Sequence, residues 1–160
     1  MPTSTYTPLA NITLGSSAAS VTFSSISQSY RDLILVIAGI SSSTGGGCTI
    51  TVNNDTTSNY DYVLVEANGS TKSTRASTGT GYFTMWNYNE LGSSTSTLIY
   101  NFLDYSATDK HKSMLARIND STEALSMANG RWMNTSAITT IKATAGFAAN
   151  TTLSLYGIVA

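Results

Sequence analysis

Short apolar stretches separated by Ser, Thr, Gly and Asn recur along the whole chain, and most are rich in β-branched or aromatic residues. That succession of strand and turn signals predicts an all-β fold, a sandwich or barrel. Strands are expected near Ala10–Leu14, Ser20–Phe23, Asp32–Ile40, Cys48–Val52, Tyr60–Ala67, Tyr82–Tyr88, Thr97–Asp104, Ser113–Ile118, Ala124–Met133, Ile138–Ala143 and Thr152–Ile158. In CTITV, Cys48, Ile50 and Val52 share one face and Thr49 and Thr51 the other. In YDYVLVEA, Tyr60, Tyr62 and Leu64 alternate with Asp61, Val63 and Val65. LILVIA, Leu33 to Ala38, is apolar on both faces and suits a central strand, buried in the sandwich on one side and against a neighbouring subunit on the other. Helix signals are weak: one helical turn is expected near Ser106–Lys112 and no more. Two loops interrupt the pattern, the glycine-rich Ser41–Gly47 and the polar Asn68–Gly81, which opens on a turn-forming Asn-Gly. The chain ends on TTLSLYGIVA, an apolar run that fits a closing core strand.

No linker or shift in composition divides the 160 residues, so 1–160 is expected to be a single domain, large enough for a core without metal or disulfide. Charged residues are only 11%, well below the usual quarter, and 49 Ser and Thr supply the missing polarity. With a net charge of −1 and no basic stripe, neither nucleic acid nor an anionic membrane is an expected partner. The lone Cys48 leaves no internal disulfide. The opening MPTSTYTP has no basic segment leading into an apolar one, so no secretion signal is expected and synthesis is assigned to a cytoplasm. The longest apolar run is far too short for a helical membrane span.

Candidate chemistry is sparse. His111, the single histidine, stands between Lys110 and Lys112, and no Gly-x-Ser-x-Gly elbow accompanies the many serines. One Cys, one His and three scattered glutamates do not make a zinc site. The loop Asn53 to Asp61 carries oxygen ligands that suit calcium, but it lacks the EF-hand spacing, and such Asx-rich loops usually bond their own backbone. The glycines of Ser41–Gly47 are followed by Cys48 and a strand, not by the Lys-Ser/Thr and helix of a phosphate loop. No catalytic residue, cofactor or metal is expected. GYFTMWNYN sets Tyr82, Trp86 and Tyr88 on one strand face. Exposed, that row would stack sugar rings; buried, it is sandwich core, the role favoured by the need of Phe23 and the aliphatic strands for partners of that size.

Both ends of the chain carry more specific motifs. The start, YTPLANITLGSSAASVTFSSISQSYRDLILVIAG, resembles the opening of a family of small tailed-phage virion proteins, through Tyr6, Thr13–Leu14, Val21 to Ile26, and Tyr30 with Asp32–Leu33. ITVNNDTTSNYDY is similar to that family's Asn-x-Asp…Asn-Tyr loop. RWMNTSAITTIKATAGFAANTTLSLYGI is similar to its Trp-x-Asn-Thr…Ala-Ile-Thr strand, Gly-x-Phe turn and closing Leu-Tyr-Gly-Ile. The stretch Asn68 to Lys112 matches loosely, Asn150 stands where Gly is common, and Val159–Ala160 run past the usual end. The resemblance implies a jelly-roll-like antiparallel β-sandwich on the outside of a virion, often a homotrimer, and it carries no catalytic residue across.

Three functions compete on these grounds. The first is a capsid decoration, or cement, protein bound to the major capsid protein on the outer head surface, favoured by a free-standing domain with no coiled coil or collagen-like repeat. The second is a receptor-binding module of a tail fibre or tail tip that recognises a host surface glycan through Tyr82, Trp86 and Tyr88. The third is a minor tail component.

Overall fold

The computed structural model describes residues 5–40, 47–69, 71–85, 95–120 and 124–159. Twelve strands run through them: β1 (Tyr6–Thr13), β2 (Ala18–Phe23), β3 (Asp32–Gly39), β4 (Thr49–Val52), β5 (Tyr60–Asn68), β6 (Thr71–Thr80), β7 (Phe83–Thr84), β8 (Ser96–Leu103), β9 (Lys112–Asp120), β10 (Ala124–Trp132), β11 (Ile141–Phe147) and β12 (Thr152–Ile158). They form two antiparallel sheets, one of eight strands in the order β1-β12-β3-β8-β9-β10-β5-β6 and one of four in the order β2-β11-β4-β7. The sheets pack face to face as a jelly-roll-like β-sandwich, the expected fold class.

Strict alternation builds the core. On the inner side of the large sheet Leu33, Leu35 and Ile37 of β3 lie beside Phe102, Tyr100 and Leu98 of β8, which in turn neighbour Met114, Ala116 and Ile118 of β9. Val21, Phe23, Ile50, Val52, Ile141, Ala143 and Phe147 face them from the small sheet. Full burial of one such side chain contributes about 1.5–3 kcal/mol, so this layer supplies most of what holds the sheets together. The apolar chain end belongs to it. Leu153 and Leu155 of β12 are buried between β1 and β3. Gly157 leaves room for the Tyr30 ring, which would lie 2.4 Å from any Cβ placed there.

One end of the sandwich is tied by side chains rather than by the ladders. Asn53, at positive φ, donates from Nδ2 to the Ala137 carbonyl and accepts at Oδ1 from the backbone N–H groups of Thr139 and Thr140. The buried Tyr60 hydroxyl accepts from Val52 N–H and donates to the Asp55 carbonyl, and burial pushes this phenol up to about 12. The Lys112 ammonium is buried and donates to the carbonyls of Lys110 and Thr135. Burial shifts its pKa downward.

Two segments differ from expectation. Asn68–Gly81, expected as a loop, is instead most of a hairpin: Asn68 pairs with Thr71, Gly69 takes a positive φ of 55°, and β6 runs along β5. Neither face of β6 is buried, so its Thr- and Ser-rich sequence shows none of the apolar alternation that marks a strand. Its β propensity resides in threonine. No helix occurs among the described residues. The expected helical turn at Ser106–Lys112 is absent: the chain turns at Asp104–Ala107, closed by the Ala107 N–H on the Asp104 carbonyl, passes through bends at 108–110 and is already in β9 at Lys112.

Candidate functional site

Among the described residues the sequence-derived candidates are not brought together. His111 is exposed, next to the Lys110–Asp104 ion pair. Cys48 is buried and forms no disulfide. No group of three or more His, Cys, Asp or Glu that could hold a metal ion occurs among the described residues. In the Asn53–Asp61 loop the Asp55 carboxylate is surrounded by donors, namely Thr57 N–H and Oγ1, Asn59 Nδ2 and Trp132 Nε1. A cation needs lone pairs, and here it would have to displace four hydrogens. Burial by itself would raise the Asp55 pKa, but the bonds from Asn59, Thr57 and Trp132 outweigh it and hold the group at about 2. Tyr82 is partly exposed, and its carbonyl accepts from Thr80 Oγ1. Trp86 and Tyr88 lie outside the described residues, so the aromatic row cannot be assembled from them.

The outer face of the large sheet is the unusual surface. Five of the eight large hydrophobic residues exposed among the described ones lie on it: Val63 and Val65 of β5, Leu115 of β9, and Leu125 and Met127 of β10. Each is between 41% and 63% exposed. The ladder places them together. Val65 lies beside Met127, Met127 beside Arg117, Arg117 beside Ile99 and Ile99 beside Val36. One register step away run Ala76, Val63, Asn129, Leu115, Asn101 and Ile34. The five exposed side chains together present roughly 500 Å², toward the top of the range for the largest apolar patch on an ordinary monomer. Burying that area would contribute on the order of 10 kcal/mol before the costs of association.

A polar rim bounds the patch. Asp61 and Arg131, opposite each other on β5 and β10, form an ion pair of 2.7 Å, and Asp61 also accepts from Gly79 N–H at 3.0 Å. The Gly79 bond and then the Arg131 guanidinium hold the Asp61 pKa below its usual value. Gly79, at φ 64°, belongs to an irregularity in which β6 gains one residue against β5, between Tyr60 and Tyr62. That bulge walls an open depression of about 410 Å³ beside Val63, Asn129 and Arg131. A second cleft, of about 380 Å³ and lined by Leu9, Ile12, Phe23, Ile26 and Leu155, opens between β1 and β2 at the edge of the sandwich.

Both edges of the large sheet are blunted against strand addition. β1 carries Pro8, which has no N–H, and an irregularity between Pro8 and Ala10; β6 carries Lys72 and Arg75. Contact with a partner is therefore better served by the face than by the edges. The signal for that face lay in strands apolar on both alternating sets. Val63 and Val65 oppose Tyr62 and Leu64, and Ile34 and Val36 oppose Leu33 and Leu35.

No protein-family model and no curated protein matches the chain. Among solved structures it is similar to the galectin LEC-6 of Caenorhabditis elegans, with a TM-score of 0.42 and 9% identity over 94% of this chain and 96% of that one.

Proposed function

We propose that the protein is a non-catalytic structural protein of a bacteriophage virion, a capsid decoration protein that docks on the major capsid protein through the outer face of its eight-stranded sheet. The virion assignment comes from the resemblance at the two chain ends. The docking role is carried by the exposed stripe of Val63, Val65, Leu115, Leu125 and Met127 on a surface that is otherwise rich in hydroxyls and poor in charge. Contact of this kind depends on buried apolar area, which salt does not screen, so binding should persist at about 0.5 M salt. The homotrimer that the resemblance implies belongs to the proposal, and the mass of the 16.9 kDa chain in solution tests it.

The experiment is sedimentation of labelled protein with purified mature heads of the phage that encodes it. Saturable binding that persists in salt and is lost in Met127→Lys, with an unchanged unfolding curve, is the expected result. Label found only at the tail tip, or selective binding of host polysaccharide that is lost in Trp86→Ala, would instead establish the receptor-binding function.

A further inference from the structure

We infer that the surface received by this face belongs to a different protein and sets a carboxylate among aliphatic side chains, with the carboxylate seated on Arg117; this rests on the docking role proposed above. Arg117 is exposed on β9, in register between Met127 of β10 and Ile99 of β8. A partner that covers the apolar stripe therefore covers this guanidinium as well. Arg117 makes no ion pair among the described residues. Burying it unpaired would oppose the association that the apolar area drives, because a charge removed from water without a counter-charge is strongly disfavoured. A guanidinium is weakly hydrated and takes a carboxylate in a planar two-bond fork, so it suits an interface once the partner supplies that group.

A second copy of the chain does not meet the requirement. On β5, β6, β9 and β10 the outward-facing carboxylate among the described residues is Asp61, and both of its oxygens are already occupied, Oδ1 by Gly79 N–H and Oδ2 by Arg131. Stacking two such faces would instead leave the cations Lys72 and Arg117 of each copy with no open carboxylate to meet. An anionic bilayer would satisfy the charge but not the shape. The stripe consists of short side chains standing on a sheet, without the long amphipathic helix or basic cluster that inserts at lipid headgroups.

The test uses the full chain with methyl-labelled Val, Leu and Met, titrated below the micelle concentration with octanoate and, separately, with octyltrimethylammonium, and followed by NMR. Octanoate should shift the methyls of Val63, Val65, Leu125 and Met127 saturably. The quaternary ammonium, and octanoate on Arg117→Gln, should each bind about tenfold more weakly, a factor equivalent to 1.4 kcal/mol. Equal response to the two amphiphiles, shifts confined to the cleft of Leu9, Ile12 and Phe23, or no saturable shift would each overturn the proposal. So would a wild-type oligomer that Met127→Lys dissolves, since the occupant would then be a second copy. Co-sedimentation with phosphatidylglycerol vesicles that Met127→Lys abolishes would overturn it in favour of a membrane. Heads separate the two levels. Binding indifferent to Met127→Lys removes the docking role, whereas binding lost in Met127→Lys but unchanged in Arg117→Glu removes only the carboxylate.

Discussion

On β10 the inward residues are Ser126, Ala128, Gly130 and Trp132, and the outward ones are Leu125, Met127, Asn129 and Arg131. Apart from Trp132, the inward set is small and the larger aliphatic side chains point away from the core. The reason for the small side chains is visible at Gly130, where a Cβ would lie 2.4 Å from the Phe83 ring. That ring is held edge-on between Tyr62 and Tyr100, with centroids 6.1 and 6.2 Å away. The space is full, so slipping the strand by one residue, which would turn Leu125 and Met127 inward, has nowhere to put them. Their outward placement is thus not a by-product of an amphipathic strand. Inner-face residues of this sheet specify the fold, and the outer apolar residues are available for a partner.

Neighbours on opposite faces should therefore behave oppositely. Trp132→Ala should destabilise by about 3–5 kcal/mol, since it empties a fully buried site and removes the Nε1 bond to Asp55, whereas Arg131→Ala should cost less than about 1 kcal/mol. Urea unfolding of the pair measures both. Gly130→Ala should cost about 1–3 kcal/mol through overpacking against Phe83, with Asn129→Ala within about 0.5 kcal/mol of wild type.

Acid titration sharpens the contrast between the tied end of the sandwich and the open face. Asp55 has a native pKa of about 2 against an ordinary 3.8, so as pH falls the unfolded chain takes up the proton first. Its contribution, about 2 kcal/mol, is complete well above pH 3.8 and is lost as pH falls through 2. Asp55→Ala should remove that stability at pH 7 and flatten the profile below pH 5; an unchanged acid limb would show that the bonds to Thr57, Asn59 and Trp132 do not hold in solution. The smallest effect is expected on the apolar stripe itself. Val65→Thr and Met127→Lys should leave stability within about 0.5 kcal/mol of wild type.

The fold was legible where one face of a strand is core. CTITV, YDYVLVEA and the closing TLSLYGI alternate as the burial does. It was not legible at β6, whose strand character comes from pairing with β5 and not from burial, nor at Ser106–Lys112, where a weak helical pattern gives way to a turn closed by Ala107 N–H on the Asp104 carbonyl and to the start of β9. The candidate site was legible only in part. Apolar residues on both faces of LILVIA pointed to an apolar outer surface, but the patch is assembled across β5, β9 and β10, and only the register shows that Val65, Met127 and Arg117 are neighbours.

Methionine oxidation tests the proposed docking most directly, because the chain carries its own controls. Met127 is largely exposed, while Met85 and Met114 are buried in the core. Dilute hydrogen peroxide applied to the free protein, followed by peptide mass spectrometry, should oxidise Met127 rapidly and leave Met85 and Met114 intact. Applied to assembled virions it should spare all three, with Met127 slowed by at least tenfold, equivalent to 1.4 kcal/mol of protection. A Met127 that reacts as fast on the virion as in the free protein would contradict the account.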